Sequence, residues 1–221
     1  MIKLDEVSKV YRRGPEVIQA LNHLSLEIDS GEFVAITGKS GCGKSTLLHI
    51  IGGLEPPTAG RVLLDGRDLG LMEEPELTRF RRDRVGVVFQ SFNLLPLLNL
   101  EENVALPRVL QGAPYEEAQQ EAARWLAEVG LSHRRDHKPH QVSGGEMQRT
   151  AIARALINQP AVILADEPTG NLDSVTTAQI LQLFAHLHDQ WHKTIVLVSH
   201  APEAGQAADR VLRLKDGRLL T

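Results

Sequence analysis

The sequence predicts an α/β fold with a mostly parallel sheet, a peripheral antiparallel β subdomain and an inserted helical subdomain. Three observations carry that expectation. Short apolar, β-branched runs alternate with helical patterns, as in parallel sheets covered on both faces. Two turn-bounded amphipathic runs in the first third suit a sheet with one solvated face. From 99 to 160 every pattern is helical, which places a helical insertion between two core strands.

In chain order, "MIKLDEVSKVYRRG" mixes charges into its apolar residues and has no signal-peptide core. "LSLEID" (24–29) and "RVLLDG" (61–66) are assigned to the antiparallel subdomain. "FVAIT" (33–37), "VGVVF" (85–89), "AVILA" (161–165) and "TIVLVS" (194–199) read as buried core strands. Segments 101–111, 115–129 and 144–158 read as helices of the insertion. The segment 173–191 is a long helix with Ile180, Leu183, Phe184 and Leu187 on one face. The expected organisation is a single domain, 1–221, in which 1–90 and 159–221 form the core with its β subdomain and 91–158 the helical subdomain.

Bulk properties exclude several classes. The 221 residues carry a net charge of −4, so no basic field favours nucleic acid. The basic run "TRFRRDR" (78–84) reads as a solvated helix face or a contact near lipid headgroups. Cys42 is the lone cysteine, which fits a reducing compartment. No apolar run approaches the roughly 20 residues that span a bilayer. A cytoplasmic protein is expected, and any membrane role needs a partner. His133, His137 and His140, and the pair His188 and His192, lack the patterns of a metal site.

The chemistry begins after the strand 33–37. "GKSGCGKST" (38–46) precedes a helical run and matches a phosphate loop in its required strand-to-helix setting. Gly38, Gly41 and Gly43 allow a tight wrap that presents N–H groups to phosphate oxygens. Lys39, Ser40, Cys42 and Thr46 complete the loop, Lys44 reaches the β- and γ-phosphates, and Ser45 offers a hydroxyl to Mg²⁺. The core is therefore that of a P-loop NTPase. The strand 161–165 ends in Asp166 and Glu167, placing carboxylates at the sheet edge where open α/β folds bind ligands. Asp166 suits a metal held through its water shell. Glu167 suits a water to be oriented or deprotonated. Gln90 and His200 end two further apolar strands at the same edge.

One stretch resists this account. "HQVSGGEMQRTAIARAL" (140–156) is a helix whose first turn holds Gly144 and Gly145, each costing about 1 kcal/mol relative to alanine. Ser143 and Glu146 fit a capping box, which leaves the glycines unexplained. Bare glycines at a helix start let a phosphate approach the backbone N–H groups. Yet the chain has a single phosphate loop, so this segment reads as half of a site.

These motifs, in this order, resemble the nucleotide-binding subunit of an ATP-binding cassette (ABC) transporter over almost the whole chain. The phosphate loop resembles Walker A, "VILADE" Walker B, "VSGGEMQ" the signature motif and "NLD" the D-loop. Gln90 matches the Q-loop and His200 the switch histidine. "GGLEPPTAG", "VVFQSFNLLP", "ENVALP" and "ADEPTGNLD" resemble the lipoprotein-release and macrolide-export branch, with its LolD-, MacB- and FtsE-like members. Val142, Met147 and Ala201 depart from common choices in the family.

The resemblance implies ATP and Mg²⁺ as ligands, with Tyr11 stacking on adenine and Gln90 joining Ser45 and Asp166 at the metal. It implies catalysis by Glu167, His200, Lys44 and Gln90. It also implies a head-to-tail pair of copies, in which Ser143, Gly144 and Gly145 of one cover the γ-phosphate held by Lys44 of the other and Asp173 communicates between them. The remaining partner implied is an integral membrane permease subunit, which places the chain on the cytoplasmic face of the inner or plasma membrane. No nucleic-acid partner is expected. The apolar run "SFNLLPLLNLEENVALP" after Gln90 either packs the helical lobe or receives a short helix of that permease. The alternative is a non-transporting ABC ATPase that regulates a membrane partner.

Overall fold

The computed structural model describes residues 1–220, excluding the side chains of residues 13 and 202. In chain order the elements begin with β1 (Ile2–Arg13), β2 (Glu16–Ile28), β3 (Phe33–Thr37), α1 (Lys44–Ile51), β4 (Ala59–Leu64) and β5 (Arg67–Asp68). There follow α2 (Glu74–Arg84), β6 (Val85–Phe89), α3 (Leu100–Gln111), α4 (Tyr115–Glu128) and α5 (Gly144–Leu156). The chain closes with β7 (Val162–Asp166), α6 (Ser174–Trp191), β8 (Thr194–Ser199), β9 (Arg210–Lys215) and β10 (Arg218–Leu220). The expected α/β architecture is observed.

Two sheets form the scaffold. The antiparallel one has the order β2-β1-β4-β5, and the larger one β10-β9-β3-β8-β7-β6. In the larger sheet all pairings are parallel except the terminal β9–β10 hairpin. Its strands split their side chains cleanly by the two-residue period. Val34, Ile36, Val162, Leu164, Val196 and Val198 face a core shared with α1 and the antiparallel sheet. Phe33, Ile163, Ala165, Ile195 and Leu197 face the opposite core, shared with α5 and α6. Burying each such aliphatic side chain contributes roughly 1.5–3 kcal/mol, so the register is fixed from both faces.

That register places the functional ends together. Phe89 pairs with Asp166, Asp166 with Val198, and Thr37 with Ser199. The residues that follow these strands therefore emerge at one carboxyl edge.

A third core builds the helical lobe from Leu100, Val104, Ala118, Ala122 and Leu126, closed by Ala153 of α5 and by Ile157 just past its end. The same helix gives Ile152, Ala155 and Leu156 to the sheet's core, so α5 belongs to both bodies. A second tie joins α4 to α6. The Trp125 and Trp191 rings lie 5.3 Å apart, and His186 Nε2 lies 2.9 Å from Glu128 Oε1.

Two parts of the sequence reading are sharpened. Three of the four arginines of the basic run on α2 are paired within the chain: Arg81 with Glu74, Arg82 with Asp83, and Arg84 with Asp65. The leucines after Gln90 divide in two. Leu94 packs into the helical core, whereas Leu95 and Leu97 are exposed. Buried Asn103 pins this segment to α3. Its side chain accepts from the Leu95 N–H and donates to the carbonyls of Leu95, Leu98 and Asn99.

Candidate nucleotide site

The phosphate loop runs from β3 into α1. The residue before the helix, Gly43, has φ of 104° and serves as the α1 N-cap. A Cβ there would stand 2.2 Å from the Ala20 carbonyl oxygen, so only glycine lets the loop pass beneath β2. The positive end of α1 thus opens into the cleft. Lys44 is buried, and its ammonium donates to the carbonyls of Gly38 and Lys39 at 3.0 and 3.2 Å. Ser45 Oγ donates to Asp166 Oδ1 at 2.9 Å.

Glu167 sits beyond the end of β7 with φ of 47°, in the left-handed region. Its N–H donates to the Val198 carbonyl, and its carboxylate takes partners different from the Ser45 hydroxyl that Asp166 binds. One carboxylate oxygen stands 3.6 Å from Lys44 Nζ, and the other takes His200 Nδ1 at 2.8 Å and the His200 N–H at 3.2 Å. Gln90 is held from both sides by one residue. Its amide donates to Asn171 Oδ1, and the Asn171 amide donates to the Gln90 carbonyl, both at 3.2 Å.

Together these groups line a cleft of about 730 Å³, with walls from Ser40, Gly41, Gly43, Lys44, Ser45, Thr46, Gln90, Glu167 and His200. The far wall is the tip of the β1–β2 hairpin, where Tyr11 pairs with Ile18 and both face the opening. The Tyr11 hydroxyl donates to Glu55 at 2.6 Å and lies 3.5 Å from Thr46 Oγ1. Lys9 Nζ stands 5.2 Å from the ring centroid. Burial, then the bond to Glu55, pushes the Tyr11 phenol upward, and the same bond lowers the Glu55 carboxyl.

Ser45 and Gln90 line the cleft, and Asp166 stands behind Ser45 through its hydrogen bond, so all three carry oxygens available to an ion. Among the described residues there is no group of three or more His, Cys, Asp or Glu fit to hold an ion. A small set of oxygens suits Mg²⁺, which keeps several waters and takes the rest of its shell from phosphates.

Other expected site residues stand back from the cleft. Gly38 and Lys39 turn inward to receive Lys44, and Cys42 is buried in the sheet's core as a small apolar residue. Ser143, Gly144, Gly145 and Asp173 are not part of its lining. The capping box is present. The Glu146 N–H donates to Ser143 Oγ at 3.2 Å and the Ser143 N–H to Glu146 Oε2 at 2.8 Å. Asp173 caps α6 through the Val175 and Thr176 N–H groups and the Thr176 hydroxyl, whose bond leads in holding its carboxyl below the usual range.

The glycines of α5 also have a packing role within the chain. A Cβ on Gly145 would lie 2.5 Å from Thr176 Cγ2, and one on Gly144 would lie 3.2 Å from Leu172 Cδ2. Both directions point into the chain itself. The helix start lies flush against residues 172–176, a packing constraint within the chain that by itself calls for small residues there. Asn171, Glu55 and Ile18 are site residues the sequence reading did not single out. Asn171 and Glu55 lie inside the motifs "ADEPTGNLD" and "GGLEPPTAG", whereas nothing in the pattern marks Ile18.

The sequence profile of the ABC transporter family matches residues 21–170. An ABC transporter ATP-binding protein of Methanocaldococcus jannaschii, MJ0796, is 48% identical over 223 residues, covering 99% of this chain and 95% of that protein. The macrolide export ATP-binding/permease protein MacB of Brucella melitensis is 44% identical over 221 residues, covering 100% of this chain and 34% of that protein. The chain thus spans about a third of the length of MacB. Among solved structures, the dimeric post-hydrolysis state of MJ0796 bound to ADP and Pi superposes with a TM-score of 0.93 at 45% identity, covering 100% of this chain and 97% of that one.

Proposed function

This chain belongs to the ABC transporter family and is an ATPase of that type; from that premise we propose that two copies close head to tail around two ATP molecules and drive a membrane partner. One observation carries the reading. Lys44, Ser45, Glu167 and His200 share a cleft that Ser143 and its two glycines do not line. Each chain therefore offers a holder and a separate lid, and a two-fold axis joins each holder to the other copy's lid. MJ0796, dimeric with ADP and Pi, supports a nucleotide-linked pair of copies here.

In this reading the loop N–H groups and Lys44 neutralise phosphate charge, and the hairpin tip takes the base against Tyr11 and Ile18. Ser45 and Asp166 would hold Mg²⁺ with Gln90 at its edge. When bound, the ion neutralises charge on the β- and γ-oxygens. A γ-phosphate that takes Lys44 leaves Glu167 to orient and deprotonate a water, with His200 steadying its second oxygen. Asp173, holding the start of α6 beside the lid, lies where the two copies communicate. The whole of 1–221 works as one cassette, with 91–158 as the lobe that carries the lid.

The partner is an integral permease subunit, which places this chain on the cytoplasmic face of the membrane. Export or extrusion of a lipoprotein, peptide or drug is the transport proposed, in keeping with the MacB relatives. Among the described residues no helix is long and apolar enough to cross a membrane. The contact lies on a groove of about 400 Å³ between α2, β6 and the lobe, bordered by Leu54, Arg81, Asn93, Pro107 and Asn158, and on exposed Leu95 and Leu97. Replacing both leucines by serine is expected to abolish co-purification with the permease and to leave ATP turnover of the isolated chain unchanged. Unchanged co-purification removes that surface.

The composite site has a direct test. Lys44→Ala and Ser143→Arg should each inactivate a homodimer. Mixed one to one, they form heterodimers with one site carrying both lesions and the other intact, so turnover reappears at about a quarter of wild type. A mixture as inactive as its parents rules out a lid supplied by the partner.

A further inference from the structure

The loop that carries Gln90 has no regular structure between β6 and α3, yet its carbonyls are taken one after another by side chains. Asn171 takes the Gln90 carbonyl, and Asn103 takes those of Leu95 and Leu98. Between them lies the sharpest turn. Phe92 and Asn93 stand at φ of 60° and 49°, two consecutive left-handed residues without a glycine, a backbone that surrounding structure must hold in place. What holds it is Arg154 of α5. Its two terminal nitrogens donate to the Asn93 carbonyl at 2.5 Å and the Phe92 carbonyl at 2.7 Å.

Arg154 is half-buried, and no carboxylate pairs with it among the described residues. Burial pushes its pKa below the ordinary arginine value. A cation kept in that setting for two carbonyls of a strained turn contributes geometry before stability, because an unpaired buried charge is itself unfavourable. The position of α5 adds a direction. Its N-terminus is the lid segment, and Arg154 lies eleven residues on, roughly 16 Å along a rigid rod.

We propose that Arg154 is a positioning residue for ATP hydrolysis, clamping the Phe92–Asn93 turn so that Gln90 is set by the same helix that carries the lid. The proposal rests on Gln90 belonging to the nucleotide machinery. Closing the lid on a partner's phosphate then places α5, and α5 places Gln90.

The test is steady-state ATPase kinetics on the full chain for Arg154→Met, Arg154→Lys, Gln90→Ala and the double variant Gln90→Ala/Arg154→Met, with melting curves for each. Arg154→Met should lower kcat about tenfold, the scale of a sub-ångström misplacement, with KM for ATP changed less than about threefold. Arg154→Lys should fall between it and wild type, because one ammonium cannot reproduce the fork. It keeps the test open if the methionine variant fails to fold. The double variant should be no slower than Gln90→Ala alone. Losses that multiply in the double variant, or wild-type kcat in Arg154→Lys, overturn the proposal and leave Gln90 in its role. Wild-type kcat in Gln90→Ala removes Gln90 from the machinery and the proposal with it.

Discussion

Replacing Glu167 by glutamine is expected to lower ATP turnover by about 10²–10⁴-fold, the contribution of a positioned general base, while ATP binding persists. The geometry makes this a sharp substitution. Glu167 emerges from β7 in a left-handed conformation fixed by its N–H on Val198. Its carboxylate lies between Lys44 and His200. Glutamine has the same shape and still offers an oxygen to His200, so the turn and the neighbouring loop are kept. What is lost is the negative charge that the proposed general-base role requires. With hydrolysis blocked and both holder and lid intact, the ATP-bound pair should accumulate. Phosphate release, calorimetric ATP binding and size-exclusion chromatography with and without ATP read the three outcomes. Near-normal turnover removes Glu167 from its role, and a dimer independent of ATP removes nucleotide as the joint.

Much of this site was legible because sheet geometry is written in short apolar runs. The strands at 33–37, 85–89 and 194–199 begin and end where their patterns do. The run at 161–165 is displaced by one, because Asp166 still pairs with Phe89 and Val198. The edge residues Gln90, Glu167 and His200 followed from those strand ends. The first strand was harder to read. Ile2, Leu4 and Val7 all point inward, but register shifts in the pairing of β1, with Glu6 at φ of 49°, break the alternation. The β9–β10 hairpin turns at Asp216 and Gly217, a strong turn signal, yet its strands are rich in exposed arginine and lysine, a pattern that does not mark strands. The grips on the site were invisible. Asn171 on Gln90, Glu55 on Tyr11 and Arg154 on the Phe92–Asn93 turn join residues 44 or more apart in sequence. No periodicity encodes such pairs, and within "IARAL" an arginine looks like any other polar helical residue.

The start of α5 is where pattern and packing disagree, and it yields the second large expected effect. Helix propensity alone favours Gly145→Ala by about 1 kcal/mol. The structure predicts the opposite sign. An added Cβ meets Thr176 Cγ2 at 2.5 Å, and Thr176 is not free to turn away, because its N–H and hydroxyl both bind Asp173, at 3.0 and 2.6 Å. Overpacking of this kind costs about 1–3 kcal/mol, so the variant should melt lower. It should also lift the lid segment from the end of α6, a displacement on the ångström scale that can lower turnover by about 100-fold. Thr176→Ser offers the discriminating partner, since it removes the methyl group and keeps the hydroxyl on Asp173. If the glycine is there to let α5 lie against α6, Gly145→Ala combined with Thr176→Ser should regain both melting temperature and turnover. If it is there so that a phosphate can approach a bare backbone, the double variant should regain stability and stay inactive. The inward direction of the Cβ favours the first outcome, and measuring both quantities on the same four proteins decides between them.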